Sequence, residues 1–153
     1  MKILATLCYV QDQGKTLMLH RIKKRNDFHK DKWNGLGGKF EDGESPEECV
    51  KREILEESGL TIRKPHLHGV ITFPNFDGEN DWIVFLFTAS EFSGTLIDSD
   101  EGHLEWISDD KLFDLHLWEG DYIFIKWLKQ DKFFSAKFIY EHKRLKNWSV
   151  EFY

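Results

Sequence analysis

Three glutamates lie close together in one stretch of the chain: Glu53, Glu56 and Glu57, at relative positions i, i+3 and i+4. On an α-helix this spacing places all three carboxylates on one face. Each like-charge pair then costs about 0.2–0.5 kcal/mol at a surface, and more where water is excluded. A hard divalent cation removes the repulsion, because Mg²⁺ prefers carboxylate oxygens and often binds substrate phosphates too. The residue types therefore indicate metal-assisted chemistry on a phosphate compound.

The segment that carries these glutamates has the sequence marks of a helix at both ends. Ser45 is suited to the N-cap, a proline follows at the first helical position, and Glu48 completes a capping box. Gly59 supplies the left-handed residue that ends a helix. We therefore expect a helix from Ser45 to Ser58, and this element must position the carboxylates.

A glutamate-rich helix can also be a solvated surface helix, and the neighbouring residues bear on this alternative. On the helical wheel Cys49 and Val50 lie one turn before the glutamates, so the carboxylates border the apolar, inward-facing side. Gly37 and Gly38 allow the backbone to approach a metal or phosphate closely. Arg52 is placed to pair with a carboxylate and orient it. Together these residues favour a binding site.

The complete pattern resembles the signature of the Nudix hydrolase family, Gly-x5-Glu-x7-Arg-Glu-(aliphatic)-x-Glu-Glu-x-Gly-(aliphatic). The chain matches it without departure at Gly38, Glu44, Arg52, Glu53, Ile54, Glu56, Glu57, Gly59 and Leu60. The resemblance implies an α+β fold, the Nudix-type α/β/α sandwich with a mixed β-sheet. It also implies an Mg²⁺ cofactor, with Mn²⁺ as the alternative, and hydrolysis of a nucleoside diphosphate linked to another moiety.

The resemblance assigns roles to individual residues. The implied metal ligands are the carboxylates of Glu53, Glu56 and Glu57 and the carbonyl group of Gly38, while Arg52 orients a glutamate and Glu44 supports the loop. Family members often supply one further carboxylate from a distant loop, as metal ligand or as the base that activates water, and Glu101 matches it. We therefore expect Glu53, Arg52, Glu44 and Glu101 to serve catalysis. For Glu101 a solvated acidic loop is the alternative.

Beyond the signature, nearly the whole chain resembles the MutT-like branch of the family. The likeness is carried by Trp33 to Lys39, Ser99 to Glu101, Trp118 to Asp121 and Phe133 to Phe138. Enzymes of that branch convert oxidised purine nucleoside triphosphates to monophosphate and pyrophosphate, so the implied substrate is 8-oxo-dGTP. The implied substrate-binding residues are Thr6, Lys23, Asn34, Trp118 and Asp121.

The chemistry of the expected base-binding residues agrees with that role. Trp118 offers a stacking face, and Asn34 and Asp121 offer hydrogen bonds to a purine edge. A packing aromatic and a turn residue remain the alternatives for Trp118 and Asn34. One departure bears on base selectivity: related vertebrate enzymes have adjacent acidic residues, whereas this chain has Gly120 before Asp121.

Two other functions stay open from the sequence. One is hydrolysis of another nucleoside diphosphate derivative, such as ADP-ribose, a nucleotide sugar or a dinucleoside polyphosphate. The other is a non-catalytic module that senses a nucleotide. Loss of a metal-binding glutamate usually marks such a module, and this chain retains all three.

Length and composition limit the classes of protein to which this chain can belong. The 153 residues fit a single domain, 1–153, and the net charge of −6 argues against a duplex nucleic acid partner. The chain has no apolar run long enough to span a membrane, and Ile3 to Val10 reads as a first strand and not as a signal peptide. Two cysteines among apolar neighbours, Cys8 and Cys49, are typical of a reducing compartment, so we expect a cytoplasmic protein. The oligomeric state is left open.

Periodicity and turn residues predict the remaining elements. Thr16 to Ile22 should form a hairpin with the first strand through Gln13-Gly14, and Lys23 to Asn34 should be irregular. Further strands are predicted at Val70 to Phe73, Trp82 to Thr88, Leu104 to Ile107 and around Trp148, Val150 and Phe152, with a second helix over Asp121 to Lys129.

Overall fold

The architecture is given by a computed structural model that describes residues 1–153. The strands are β1 (Lys2–Asp12), β2 (Lys15–His20), β3 (Trp33–Asn34), β4 (Leu60–Arg63), β5 (His66–Phe73), β6 (Asp81–Ala89), β7 (Glu91–Gly94), β8 (His103–Ser108), β9 (Phe134–Glu141) and β10 (Arg144–Phe152). The helices are α1 (Pro46–Ser58) and α2 (Asp121–Phe124), with 3₁₀ segments at Asp109–Asp114 and Ile125–Lys129.

A large mixed sheet runs through the molecule in the order β10-β9-β5-β6-β1-β2-β3, with β8 also paired to β2. The hairpin between β1 and β2 forms at Gln13 and Gly14, both of which have positive φ. β1 pairs in parallel with β6, and β5 in parallel with β9, whereas β5 and β6 are antiparallel. The predicted α+β fold with a mixed sheet is therefore confirmed.

Alternating side chains of β1 divide the core between the two faces of the sheet. Cys8 and Val10 pack with Val50 and Ile54 of α1, in one cluster of buried apolar residues. Tyr9, between them in the chain, belongs to a second cluster built largely from the C-terminal third of the chain. Because α1 lies on one face and α2 with its 3₁₀ extension on the other, the layers form the expected sandwich.

The ends of α1 confirm the capping prediction. The Glu48 backbone N–H donates to Ser45 Oγ at 3.1 Å, and the Ser45 backbone N–H donates to Glu48 Oε1 at 2.9 Å. Gly59 has φ of 83°, and its N–H donates to the Leu55 carbonyl. A Cβ at Gly59 would lie 2.6 Å from the Thr95 carbonyl oxygen, so this position tolerates no larger residue. The helix that carries the glutamates is thus fixed at both ends.

Several elements differ from the sequence prediction. The second helix is α-helical only to Phe124 and continues as a 3₁₀ segment from Ile125 to Lys129, in which Ile125 and Trp127 are buried. The strand predicted from Thr16 to Ile22 ends at His20, and Trp33–Asn34 forms a short strand within the segment expected to be irregular. No helix has the length and apolar character needed to cross a bilayer. Cys8 and Cys49 are buried free thiols, as expected.

Candidate active site

A cavity of about 680 Å³ opens between α1, the start of the sheet and the loops that follow β2, β5 and β7. Its wall brings together nine of the twelve residues expected from the sequence: Thr6, Asn34, Gly38, Glu53, Glu56, Glu57, Glu101, Trp118 and Asp121. Arg52, Glu44 and Lys23 lie outside this wall. The cavity therefore joins carboxylates from α1 with aromatic and polar groups from the C-terminal third.

Arg52 connects the carboxylates to one another from behind the wall. Its guanidinium donates to both oxygens of Glu44, at 2.6 and 2.9 Å, and this bidentate pair holds the pKa of Glu44 down to about 2. It also donates to Glu53 Oε1 at 2.9 Å and to Glu56 Oε2 at 3.3 Å. A further bond to the Lys39 carbonyl anchors the glycine-rich loop. Arg52 thus orients two of the expected metal ligands, and Glu44 orients Arg52.

Glu57 is the most deeply buried of the three helix glutamates, with 9% of its surface exposed. Burial raises the pKa of Glu57 to about 8, although the Gly37 backbone N–H donates to its Oε1 at 2.8 Å. Burial also raises the pKa of Glu53, against the opposing effect of Arg52. The fold therefore destabilises the charged forms of two adjacent carboxylates, which a cation would stabilise.

The glycines of the loop are required by close contacts with the sheet and with α1. A Cβ at Gly37 would fall 2.0 Å from the Thr6 carbonyl oxygen, and φ of 151° is itself unfavourable for other residues. A Cβ at Gly38 would lie 2.5–2.7 Å from the Glu53 carboxylate. The Thr6 N–H donates to the Gly38 carbonyl at 2.9 Å, which holds this part of the loop against β1. Thr6 therefore positions the Gly38 carbonyl.

The donor set suits a hard divalent cation in its chemistry. Each helix carboxylate has one oxygen bonded within the protein, namely Glu53 Oε1, Glu56 Oε2 and Glu57 Oε1, and its second oxygen has no protein donor. Oxygens of this kind are the ligands that Mg²⁺ or Mn²⁺ takes, and the Gly38 carbonyl, expected as a further ligand, already accepts a bond from the Thr6 N–H. In this arrangement no three His, Cys, Asp or Glu side chains converge closely enough to hold a metal ion.

Cationic side chains hold the acidic loop before β8 against the segment that follows β2. The Glu101 carboxylate accepts a bond from Lys24 Nζ at 3.0 Å and lies 3.5 Å from Arg21 Nη2. Lys23 donates to Asp98 and to the Ser99 carbonyl, at 2.5 and 2.6 Å. Lys23 was expected near the pocket, and its ammonium lies behind the wall, bonded to two wall residues, Asp98 and Ser99.

The aromatic part of the wall surrounds Trp118, which is 4% exposed. Its indole N–H donates to His29 Nδ1 at 2.8 Å, and burial lowers the pKa of His29 to about 4, so this imidazole is neutral and can accept. Phe28 is stacked on Trp118, with ring centroids 5.5 Å apart, and Lys32 Nζ lies 4.7 Å from the ring centroid. Protein groups therefore already contact much of the ring that was expected to stack on the base.

The side chains of Asn34 and Asp121, which were expected to bind the base, lie on the wall and make no hydrogen bond within the protein. Asn34 presents its amide from β3, and Asp121 presents its carboxyl from the start of α2. Asp121 is only 8% exposed, and burial raises its pKa to about 8 against the opposing charge of Lys32. At neutral pH this carboxyl is largely protonated, so it can donate as well as accept a hydrogen bond.

Among the wall residues that sequence reasoning did not single out are four whose rings contact Trp118: Phe28, His29, Phe76 and Tyr140. The first two lie in the segment expected to be irregular, where two aromatic rings in a polar stretch were the available signal. Tyr140 ends a period-two pattern of buried residues in β9, which indicates a strand. No local pattern marks Phe76.

Packing explains why this chain has a glycine, and not an acidic residue, at position 120. A Cβ there would lie 2.8 Å from Tyr140 Oη and 2.9 Å from the Phe138 ring. The Gly120 N–H donates to Tyr140 Oη at 2.6 Å. A glycine is therefore needed wherever this tyrosine approaches the backbone so closely, and an acidic side chain cannot take its place without displacing Tyr140.

Comparisons with known proteins agree with this geometry. A profile described as the NUDIX domain matches residues 1–128. The chain is 38% identical, over 92% of each chain, to the oxidized purine nucleoside triphosphate hydrolase of Danio rerio. It is 35% identical to the protein of the same name from Mus musculus, over 77% of this chain and 76% of that one. The crystal structure of the MutT protein from Bacillus halodurans superimposes with a TM-score of 0.85 at 34% identity, covering 97% of both chains. Nudix hydrolases generally use divalent cations and act on nucleotide substrates. On the profile match, the relatives and the shared fold, this chain belongs to the Nudix family.

Proposed function

We propose that this protein hydrolyses oxidised purine nucleoside triphosphates, 8-oxo-dGTP foremost, to the monophosphate and pyrophosphate. The observation that carries the proposal is the single cavity whose wall includes both the helix glutamates and the Asn34–Trp118–Asp121 group. A nucleotide bound there would have its phosphates near the glutamates and its base near Asn34, Trp118 and Asp121. The names of the two vertebrate relatives support the same substrate class.

The cofactor in this proposal is Mg²⁺, with Mn²⁺ as the alternative. Glu53, Glu56 and Glu57 would hold it through the oxygens that lack protein donors, with the Gly38 carbonyl as a further ligand. Once bound, the cation would neutralise phosphate charge and polarise the bond that is cleaved. Burial raises the pKa of Glu57, and a carboxyl group perturbed in this way on a cavity wall is typical of a functional site.

The protein's own groups divide the remaining work of the proposed reaction. Arg52 and Glu44 orient Glu53, and Arg21 and Lys39 place positive charge on the cavity wall, where a triphosphate needs it. The rings around Trp118 exclude water from the base. Asn34 and Asp121 meet the polar edge of the purine. Glu101 would accept the proton of the attacking water, or would be a further ligand of the cation.

Nucleotide-pool sanitation, which removes damaged precursors before DNA synthesis, is the cellular role we propose. The cytoplasm is the expected compartment, in line with the two free thiols. Hydrolysis of ADP-ribose, a nucleotide sugar or a dinucleoside polyphosphate is the alternative activity, and a non-catalytic nucleotide sensor is the less favoured one. No direct contact with duplex nucleic acid is proposed, since the net charge is −6.

The test is turnover on a nucleotide panel with Mg²⁺, with Mn²⁺ and with chelator. We expect 8-oxo-dGTP to give the highest kcat/KM, with equal amounts of monophosphate and pyrophosphate and no turnover under chelation. A clear preference for ADP-ribose or a nucleotide sugar would replace the substrate while keeping the enzyme class. Tight binding without turnover of any compound would establish the sensor instead.

A further inference from the structure

Two tyrosine hydroxyls hold the backbone that leads into α2, and they differ in one respect. Tyr122 Oη accepts a bond from the Leu117 N–H at 3.1 Å and donates to the Leu115 carbonyl at 2.5 Å. Tyr140 Oη accepts from the Gly120 N–H at 2.6 Å, and no protein acceptor takes its proton. The hydroxyl of Tyr122 is therefore fully used inside the protein, whereas that of Tyr140 has a donor to spare.

The environment of Tyr140 makes that spare donor significant. The residue is only 7% exposed, yet it contributes to the wall of the large cavity. Its ring packs edge-on against Trp118 and Phe76, at centroid distances of 5.5 and 5.4 Å, which fixes its direction. A buried donor without an acceptor is destabilising, and a ligand acceptor in the cavity removes that penalty.

The Tyr140 hydroxyl can lie this close to the backbone because the residue that faces it, Gly120, has no side chain. Any side chain at Gly120 would collide with Tyr140 Oη, as the 2.8 Å distance to a Cβ shows. Asp121 follows Gly120 directly in the chain, and its buried carboxyl lines the same cavity as Tyr140.

We propose that Tyr140 is a specificity-determining residue whose hydroxyl donates a hydrogen bond to a carbonyl oxygen of the purine base. The inference rests on the proposed function and adds to it the group that distinguishes oxo-purines from purines without a carbonyl. Beside it, the buried Asp121 carboxyl supplies a second O–H donor at neutral pH. Two donors side by side suit the acceptors of a guanine-type base and not the amino group of an adenine.

The experiment is Tyr140→Phe, which keeps the ring and removes the hydroxyl. Steady-state kinetics are measured with 8-oxo-dGTP, with dGTP and with 2-aminopurine deoxyribonucleoside triphosphate, which has no carbonyl on its base. Any of these that turns over slowly is measured as a competitive inhibitor. We expect kcat/KM, or affinity, to fall about tenfold for carbonyl-bearing bases, mainly through KM, and less than twofold for 2-aminopurine. A loss confined to 8-oxo-dGTP assigns the bond to the C8 oxygen, and an equal loss with dGTP assigns it to the C6 oxygen.

Tyr122→Phe is the matched control, because it removes a hydroxyl that bonds only to the backbone of the same region. We expect it to lower the melting temperature without changing the ratios among the three nucleotides. An equal loss for all three with Tyr140→Phe would mean that the hydroxyl only supports the Gly120 backbone, and the inference would be wrong. No change with any of them would overturn it as well. If the wild-type protein neither hydrolyses nor binds these nucleotides, the proposed function has failed, which is a separate result.

Discussion

The guanidinium of Arg52 donates hydrogen bonds to both carboxylate oxygens of Glu44, eight residues earlier in the chain, at 2.6 and 2.9 Å. This bidentate pair orients Arg52 so that it also donates to Glu53 and Glu56. Lysine cannot reproduce the planar fork. We therefore expect Arg52→Lys to weaken apparent Mg²⁺ affinity by about 10–100-fold and to lower kcat. The measurement is an Mg²⁺ titration of activity, with Lys51→Arg on the exposed side of α1 as the control. An unchanged titration curve would remove Arg52 from its orienting role.

Glu57 is the most buried of the three helix glutamates. Substitution by Gln removes its charge and keeps its shape, so the two contributions can be tested separately. Gln keeps the acceptor oxygen that receives the Gly37 N–H and removes the charge. We expect Glu57→Gln to lower kcat by at least about 100-fold, while the melting temperature of the chelated protein stays the same or rises, because burial disfavours the ionised form. A collapse of the melting temperature together with the activity would indicate a structural glutamate.

The proposed phosphate-binding end of the site and its base-binding end were predictable from sequence to different degrees. Glu53, Glu56 and Glu57 lie on one helix with both caps, so a fixed spacing predicts their common face. Phe28, Trp118 and Tyr140 come from three distant segments, and only the tertiary fold brings their rings together. The Arg21–Asp27 pair, which holds the loop carrying Phe28, likewise depends on a chain path that no local pattern specifies. Local rules therefore predicted the proposed phosphate end far better than the base end.

Selectivity for the base should depend on Asp121. Its buried carboxyl has no partner within the protein, so a bound purine is the group available to it. We expect Asp121→Asn to change the ratio of kcat/KM for 8-oxo-dGTP and dGTP by roughly one to two orders of magnitude, since an unpaired buried polar group costs about 1–3 kcal/mol. Turnover at saturation should change much less. An identical ratio in both proteins would exclude Asp121 from base recognition.

The same carboxyl should make stability depend on pH. Its pKa is raised from 3.8 to about 8 in the folded protein. The folded state therefore keeps a proton that the unfolded chain releases, and this contribution to stability is complete at low pH and is lost as pH rises towards 8. We expect the melting temperature of Asp121→Asn to rise relative to that of the wild type between about pH 4 and pH 8. The rise should be about 2–4 °C for each kcal/mol of difference in the free energy of unfolding. Thermal melts in chelator, with the exposed Asp131→Asn as control, measure the difference. A constant difference across this range would contradict the prediction.

Glu101 offers the sharpest test of how water is activated. Its loop forms part of the cavity wall far along the chain from α1, and Lys24 and Arg21 hold its carboxylate. Phosphoryl transfer needs a positioned water as well as charge neutralisation, and the helix glutamates come from one element only. We expect Glu101→Gln to lower kcat by about 100-fold or more, the usual contribution of a general base or a lost ligand. The ion pairs it breaks are partly exposed and worth about 0–1 kcal/mol, so the fold should survive. Asp100→Asn is the matched control, because it removes a carboxylate one residue away that forms no ion pair, and kcat should stay within about twofold. If Glu101→Gln keeps near wild-type kcat and Mg²⁺ affinity, the water must be activated by Glu53, Glu56 or Glu57. If both variants lose activity equally, the charge of the whole loop matters and Glu101 has no distinct role.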